Sequence, residues 1–137
     1  MHVLFVCNGN VCRSAIAERL TRAIAIDYRL PVLTAESAGT RALIGFPIEP
    51  LAAQTLRRLG GDPEEFRARR LAATQVDRAD LVPAMTEQIR DRIAELLVPL
   101  IRALAPHEQP VERPGLVVGP SAHAQRLPRV VAAQRVG

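Results

Sequence analysis

A cysteine and an arginine near the amino terminus have a spacing that suits chemistry on an anion. Cys7 and Arg13 are separated by five residues, and Ser14 follows them directly, in the segment CNGNVCRS. A loop that joins a strand to a helix can turn successive backbone N–H groups toward one point and hold an anion there. Arg13, at the helix entrance, is predicted to donate two hydrogen bonds to phosphate oxygens. Thiols in such a field have pKa values of about 3.5–7.5, so Cys7 is predicted to attack phosphorus as a thiolate.

The other residues of this loop are predicted to bind the same anion or to hold the loop in shape. Gly9 permits a close backbone approach, and Asn10 tolerates a left-handed conformation. The hydroxyl of Ser14 is predicted to donate to the thiolate and later to help it leave. The residues predicted to surround the phosphate are Asn8, Gly9, Asn10, Val11, Cys12 and Ser14. The alternative is a turn in which Cys7 is only a small apolar side chain, but Arg13 and Ser14 in register favour the functional interpretation.

Hydrophobic periodicity places this loop between a strand and a helix. A short apolar strand is predicted over 2–7, and apolar residues recur at helical spacing over 14–27. The alternation continues along the chain, with strands predicted over 32–37 and 80–85 and helices over 49–59 and 87–104. Strands that alternate with helices in this way predict an α/β fold with a parallel sheet.

Prolines modify this prediction in the second half of the chain. Pro83 lies inside the third strand, which suits an edge strand or a bulge. Pro99 predicts a break in the third helix. Beyond residue 104 the pattern is weaker, with a fourth strand predicted over 115–119 (GLVVG) and a broken terminal helix over 121–135.

Length and composition indicate one globular domain. The chain has 137 residues, and we expect residues 1–137 to form a single domain. Hydrophobic residues make up 48% of the chain and charged residues 23%, which excludes disorder over the whole chain. The apolar run 96–101 is much shorter than a membrane span, and the residues before the first strand lead us to expect no signal peptide. We therefore expect no membrane association.

The charge and the cysteine count restrict the partners and the compartment. All 18 basic residues are arginines, and they are scattered rather than interleaved with aromatic residues. This pattern predicts no nucleic-acid partner, while the net charge of +4 favours anionic partners in general. Two cysteines are too few for a disulfide-stapled secreted domain, and the three histidines have no ligand-like spacing. We expect a reduced, cytoplasmic protein with no metal site and no cofactor.

The loop resembles that of the low-molecular-weight protein tyrosine phosphatases. CNGNVCRS matches their pattern C-x-G-N-x-C-R-S at every fixed position. The segments AIAERL, SAGT at 37–40 and DLVPAM at 80–85 resemble the following helix and the second and third strands of the family, most of all in its actinobacterial members. The resemblance covers about residues 2–90 and implies a three-layer α/β/α, flavodoxin-like phosphatase fold with a four-stranded parallel sheet.

The resemblance also implies a role for each matching residue. Cys7 would be the nucleophile that forms a phosphocysteine intermediate, and Arg13 would bind the phosphoryl group. Asn10 and Ser14 would orient the loop, and Ser37 would hydrogen-bond Asn10. The expected substrates are phosphotyrosine proteins or small phosphomonoesters, and inorganic phosphate is the expected product.

Two further loop residues bear on regulation and on substrate class. Cys12 resembles the family's second loop cysteine, which can form a reversible disulfide with the nucleophile. Members of the family that act on phosphoarginine have threonine at the position of Val11, whereas tyrosine phosphatases usually have an aliphatic residue there, so Val11 favours phosphotyrosine. Phe46 either walls a phosphotyrosine slot or packs as a hydrophobic staple on the second helix.

The sequence departs from the family at the general acid. The acid of the family is an aspartate in an Asp-Pro segment near the carboxyl terminus, and no such segment follows residue 63. Downstream candidates, none of them favoured, are Glu87, Asp91, Glu108 and Glu112. A phosphate- or phosphoprotein-binding module with impaired catalysis is therefore one alternative function. Arsenate reduction with a low-molecular-weight thiol is another, because arsenate reductases share the fold and a similar loop.

Overall fold

Four parallel strands form one sheet with helices on both of its faces. The computed structural model describes residues 1–104 and 129–132. Its elements, in chain order, are β1 (His2–Cys7), α1 (Arg13–Asp27), β2 (Thr34–Gly39), α2 (Pro50–Arg58), α3 (Ala73–Arg78), β3 (Leu81–Ala84), α4 (Glu87–Leu104) and β4 (Arg129–Ala132). The strand order is β2-β1-β3-β4, and every neighbouring pair is parallel. This is the order of a flavodoxin-like sheet, so the predicted α/β fold class is confirmed.

Alternation along β2 assigns the helices to the two faces of the sheet. The Ser37 hydroxyl donates to Glu18 of α1. The adjacent Glu36 lies on the opposite face, 3.6 Å from Arg78 of α3. On the α1 face, α2 joins a core cluster that includes Ala15, Ile48, Ala53, Leu56 and Phe66. On the other face, α3 and α4 pack on the sheet through a cluster that includes Leu4, Val6, Val76, Val82 and Ile93.

The central position of β1 fixes the place of the cysteine loop. β1 lies between β2 and β3, with Cys7 opposite Gly39 and Val6 opposite Ala84. The strand order therefore reverses at the loop of residues 8–12 that follows β1. Ligands of open α/β sheets bind at such a point, outside the carboxyl ends of the strands.

Both predictions that rested on proline need correction. Pro83 lies in β3, which is an interior strand, so the edge position, one of the two settings expected for it, is wrong. Pairing with β1 uses Leu81 and Ala84, so the missing N–H of Pro83 falls between these two positions. The expected break at Pro99 is also wrong, because α4 continues through it to Leu104. Proline removes one hydrogen bond to the preceding turn, and here that loss does not end the helix.

The carboxyl-terminal part of the sheet differs from the sequence-based prediction. The fourth strand, Arg129–Ala132, lies within the range 121–135 where we expected a broken helix. Its two adjacent valines suit a strand, and Val130 packs against the core while pairing with Val82. The strand predicted over 115–119 lies outside the described residues. The short helix α3 was not predicted, because six residues carry too little periodicity to be recognised.

Candidate active site

The loop after β1 is held open by hydrogen bonds to its carbonyl groups. The carbonyls of Cys7, Asn8 and Gly9 accept bonds of 2.9–3.0 Å from N–H groups of the segment 40–43. The Val11 carbonyl accepts a bond of 2.8 Å from the Glu49 N–H. Because the carbonyls are engaged by the segment 40–49, the N–H groups of the loop are left for another partner.

Those N–H groups form a candidate anion site. Across residues 1–104 and 129–132, the N–H groups of residues 8, 9 and 11–14 donate to no protein acceptor. The N-cap of α1, Cys12, also provides no side-chain bond to the first turn of the helix. Unpaired N–H groups at the start of a long helix, together with the positive end of its dipole, favour an anion at this place.

Cys7 lies at the base of this loop and is almost fully buried. Its Sγ is 2.8 Å from the Ser14 Oγ and 3.2 Å from the Asn10 backbone N–H nitrogen. Asn10 has a φ of 57°, the left-handed conformation expected from its side-chain type, and this turns its N–H back toward the sulfur. Hydrogen bonds that point at a sulfur stabilise its thiolate form.

A buried network of side chains fixes the loop from below. Asn10, Ser14 and Ser37 each have no exposed surface. The Asn10 Nδ2 donates to the Oγ atoms of Ser14 and Ser37, both at 2.9 Å. The Arg69 N–H donates to the Asn10 Oδ1 at 2.9 Å. The bond between Asn10 and Ser37 is the one that the resemblance implied, and the network connects β2, the loop and α1 around the sulfur.

Glu18 is a member of this site that the sequence analysis missed. Its side chain is only 1% exposed. It accepts a hydrogen bond of 3.2 Å from the Ser37 hydroxyl. The signal in the sequence was its spacing, since Glu18 lies four residues after Ser14 and therefore on the same side of α1. The apolar series that suggested the helix is less buried, and Ile24 is 47% exposed.

Arg13 and Cys12 lie at the rim of the loop rather than in its interior. Arg13 is the first residue of α1 and is exposed, so its guanidinium group is accessible to a ligand above the loop. Cys12 is exposed, and Cys7 and Cys12 are both free thiols. The structure therefore contains no disulfide in the loop, and the predicted reversible disulfide stays a prediction.

A close approach at Gly39 seats the loop on the end of β2. A Cβ atom at this position would lie 2.4 Å from the Asn8 carbonyl oxygen and 3.0 Å from the Asn10 N. Only glycine leaves room for the loop there, since both of these neighbours are backbone atoms.

The segment 40–49 also carries apolar side chains beside the loop. Leu43, Ile44 and Phe46 are all about half exposed or more. The hydrophobic staple on α2 is formed by Ile48, which is buried with Ala53 in one cluster, and not by Phe46. The staple expected of Phe46 is thus wrong, and Phe46 remains available as a wall beside the loop.

The described residues contain neither a candidate metal cluster nor a helix suited to cross a membrane. In residues 1–104 and 129–132, no group of three or more His, Cys, Asp or Glu side chains is placed to hold a metal ion. Of the helices in this part of the chain, none has the length and apolarity needed to cross a membrane.

Comparison with known proteins gives a consistent family. Residues 2–110 match the family described as low molecular weight phosphotyrosine protein phosphatase, which is further than the resemblance up to residue 90. A probable low molecular weight protein-tyrosine-phosphatase, EpsP of Ralstonia solanacearum, is 41% identical over 83 residues, or 61% of this chain and 54% of the relative. The chain spans about half the length of the curated relatives that it matches most strongly.

Solved structures agree with the match. The Drosophila arginine phosphatase DARP superposes with a TM-score of 0.68 at 27% identity, over 73% of this chain and 64% of that one. The tyrosine phosphatase Wzb from Escherichia coli K30, solved in complex with sulphate, superposes with a TM-score of 0.60 at 28% identity, over 69% and 62%. Since the family match runs from β1 through α4, this chain belongs to the low molecular weight phosphotyrosine protein phosphatase family.

Proposed function

We propose that this chain is a cysteine-dependent phosphatase that hydrolyses protein phosphotyrosine through a phosphocysteine intermediate. The observation that carries the proposal is the environment of the Cys7 sulfur, which lies 2.8 Å from the Ser14 Oγ and 3.2 Å from the Asn10 N. Membership of a phosphatase family supports the same chemistry. In this proposal residues 1–137 act as one domain, and the protein works in the cytoplasm, where a reducing environment keeps the Cys7 thiol free.

In the first step the Cys7 thiolate attacks phosphorus from the base of the loop. A sulfur–phosphorus bond forms while the bond between phosphorus and the ester oxygen breaks. The free N–H groups of the loop, those of residues 8, 9 and 11–14, donate to the three non-bridging oxygens. Arg13 adds a forked, charge-assisted pair of bonds to two of those oxygens. Because the donors are fixed before substrate arrives, they stabilise the transition state with little reorganisation.

In the second step water hydrolyses the phosphocysteine. The water oxygen attacks phosphorus on the side that the first product has left, and the sulfur departs as a thiolate. The Ser14 hydroxyl donates to the departing sulfur and lowers the cost of its negative charge. Inorganic phosphate is the second product, and the loop returns to its starting state without a metal or a cofactor.

Efficient release of the ester oxygen needs a proton from an acid within hydrogen-bond reach of it. Asp91 is engaged with the Arg90 guanidinium at 2.9 Å, which makes it a poor donor. Glu87 is the first residue of α4, where an acidic side chain is already favoured by the helix dipole. Glu108 and Glu112 lie outside the described residues. No acid is assigned, and the leaving-group series below measures whether one acts.

Val11 favours phosphotyrosine as the substrate class. Its side chain is partly buried and packs against the α1–α2 cluster, so it presents an aliphatic surface within the loop. The exposed Leu43 and Phe46 beside the loop suit the flat ring of a phosphotyrosine better than a guanidinium group. The inference would be reversed if phosphoarginine were the better substrate in a side-by-side assay.

Hydrolysis of aryl phosphates tests the proposed function. The purified chain is expected to release phosphate at mildly acid pH without added metal, and Cys7→Ser is expected to abolish the release. Equal activity in that variant would overturn the proposal. A series of aryl phosphates with rising leaving-group pKa shows whether an acid acts, because rates change little along the series when an acid protonates the leaving oxygen.

The same experiment separates the alternative of a binding module. The absence of an Asp-Pro segment after residue 63 is the observation that favours it. A module with impaired catalysis would bind vanadate or phosphate through the loop while turning over phosphopeptides scarcely faster than Cys7→Ser. Arsenate reduction is tested by arsenate-dependent consumption of a small thiol, which would have to exceed the phosphatase rate.

A further inference from the structure

The buried carboxylate of Glu18 belongs to the nucleophile's surroundings, although its hydrogen bonds and ion pairs in the described residues go to Ser37, Arg19 and Arg22 and not to Cys7. Burying a carboxylate is costly unless it is paired and hydrogen-bonded. The Glu18 Oε2 accepts a bond of 2.9 Å from the Arg19 Nε, and its Oε1 lies 3.8 Å from Arg22. These two arginines balance the charge, and the Oε1 is left facing the Ser37 hydroxyl at 3.2 Å.

The directions of the hydrogen bonds in the network follow from two fixed points. The first is the Arg69 backbone N–H, which can only donate, so the oxygen of the Asn10 amide must face it. The Asn10 Nδ2 therefore faces Ser37 and Ser14 and donates to both of their oxygens. Each serine already accepts from Asn10 and must send its own proton elsewhere.

The second fixed point is Glu18. A carboxylate has no proton to give, so the Ser37 hydroxyl must donate to the Glu18 Oε1. That arrangement keeps the Ser37 oxygen as an acceptor for Asn10 and so helps to hold Asn10 in the orientation in which it also donates to Ser14. The Ser14 proton then goes to the Cys7 sulfur at 2.8 Å. We propose that Glu18 is a positioning residue for Cys7, which acts through Ser37 and Asn10 to keep the Ser14 hydroxyl donating to the sulfur.

Replacing Glu18 by glutamine would remove the requirement that the Ser37 hydroxyl donates to residue 18, while it keeps the shape of the side chain. The glutamine amide can donate to the Ser37 oxygen, and the Ser37 proton is then free to turn toward Asn10. With its proton turned toward the Asn10 Nδ2, which is itself a donor, the Ser37 hydroxyl would no longer accept the hydrogen bond from Asn10. The orientation of Asn10 is then less fixed, and the Ser14 hydroxyl, which also accepts from Asn10, loses its fixed direction. The thiolate of Cys7 is then less stabilised, and a larger fraction of the sulfur is protonated at a given pH.

The alkylation rate of Cys7 by iodoacetamide, measured against pH, tests the inference. All variants carry Cys12→Ser, so that Cys7 is the remaining thiol of the chain. In Glu18→Gln the pH of half-maximal rate is expected to rise by about half a unit to one unit. The kcat for an aryl phosphate is expected to fall about 5- to 20-fold, as for the loss of one directed hydrogen bond. The inference rests on Cys7 being the nucleophile of the proposed function.

Glu36 supplies the matched control. It is the neighbour of Ser37 on β2 and is a mostly buried carboxylate, but it faces the opposite side of the sheet and pairs with His2 and Arg78. Glu36→Gln is expected to lower the melting temperature without moving the alkylation profile of Cys7. If Glu36→Gln shifted the alkylation profile of Cys7 by a similar amount, general destabilisation would explain the effect of Glu18→Gln, and the inference would be overturned.

Ser37→Ala completes the test and covers the case in which Glu18→Gln fails to fold. It is expected to move the alkylation profile in the same direction, and the double variant with Glu18→Gln is expected to move it no further. If the shifts of the two single variants add in the double variant, or if Ser37→Ala leaves the alkylation profile unchanged, Glu18 does not act on Cys7 through Ser37. Alkylation does not need turnover, so a chain without phosphatase activity would refute the proposed function while leaving this test intact.

Discussion

The two ends of the sheet bring polar side chains together in opposite ways. At the carboxyl end, Asn10 and Ser14 have no exposed surface, and their neutral groups are arranged around one sulfur, that of Cys7. At the amino end, the charged or titratable side chains of His2 and Glu36 contact each other at 3.2 Å and remain partly exposed. Both regions are rich in hydrogen bonds, so the number of bonds does not distinguish them.

The amino end pairs most of its groups with each other, although the Glu36 Oε1 is buried without a hydrogen bond. The second ring nitrogen of His2 contacts the Thr34 hydroxyl at 2.7 Å, and its backbone N–H donates to Asp80. Arg78 adds a cation 3.6 Å from Glu36. A cavity of about 990 Å³ lies beside this cluster and the start of β2. Concavity alone would therefore favour the amino end as a binding site.

The difference lies in what is left unpaired. At the amino end the His2 ring and the Arg78 guanidinium lie 3.2 and 3.6 Å from the two oxygens of Glu36, and Arg22, Arg29 and Arg69 line the cavity as separate side chains. At the carboxyl end the carbonyls are engaged by the segment 40–49, and a row of N–H groups remains for an anion beside a thiol. The candidate site is identified by convergent unpaired donors rather than by the size of a cavity.

The largest contrast between the two ends is expected for arginine. Arg13→Ala is expected to lower kcat/KM for an aryl phosphate by about 10³-fold, because it removes a charge-assisted fork from the transition state. Arg13→Lys is expected to recover little of the loss, since an ammonium group cannot form the fork. Arg78→Ala, at the amino end, is expected to keep the activity of the parent chain. If Arg13→Ala and Arg78→Ala lost similar amounts of activity, the two ends of the sheet would not differ in this way.

A smaller contrast is expected for two hydroxyl groups of similar geometry. The Ser14 hydroxyl is 2.8 Å from the Cys7 sulfur, and the Thr34 hydroxyl is 2.7 Å from the His2 ring. Ser14→Ala is expected to lower kcat about 10- to 100-fold, since the sulfur loses a donor as it leaves. Thr34→Ala is expected to change kcat less than twofold. Steady-state kinetics of both variants measures the difference, and an unchanged kcat in Ser14→Ala would contradict the mechanism.

Backbone packing gives the next prediction. Gly39→Ala places a Cβ against backbone atoms of the loop, so it is expected to lower both the free energy of unfolding, by about 2 kcal/mol, and the activity per folded molecule. In Gly61→Ala the new atom meets the Leu56 side chain on α2, away from the loop. That variant is expected to lose stability alone. Urea unfolding followed by assays under folding conditions separates the two effects, and full specific activity in Gly39→Ala would contradict the packing account.

The smallest effect is expected for substrate class. Val11→Thr adds a hydroxyl inside the loop and is expected to raise the ratio of phosphoarginine to phosphotyrosine hydrolysis by about 10-fold. The same change at Val32, which is 74% exposed near the amino end of β2, is expected to leave the ratio unchanged. An unchanged ratio in Val11→Thr would mean that this position does not set the substrate class.

The sequence predicted the parts of the structure that depend on local spacing. The strand over 2–7, the loop around Cys7 and the start of the first helix near Ser14 follow from short-range pattern, and the structure has them. Ser37 came from the family resemblance, since no local pattern links it to Asn10. The edge position of Pro83 was wrong because the strand order depends on β4, whose residues had been interpreted as helix.

The missed part of the site depends on tertiary structure. Glu18 is a charged residue in a helix, and such residues are usually exposed, so composition gave no reason to bury it. Its role depends on the packing of α1 against β2, which brings Ser37 within 3.2 Å. The free N–H groups of the loop likewise depend on the segment 40–49, which takes up the carbonyls. Contacts of this kind join residues that are distant in sequence, and periodicity does not report them.

Trapping the covalent intermediate tests the central claim most directly. The chain is mixed with an aryl phosphate, quenched by rapid denaturation, and digested for mass spectrometry. The account predicts one added phosphoryl group on Cys7, which disappears in Cys7→Ser and accumulates in Ser14→Ala, where the sulfur leaves more slowly. A phosphoryl group on another residue, or steady turnover with Cys7 never modified, would contradict the account.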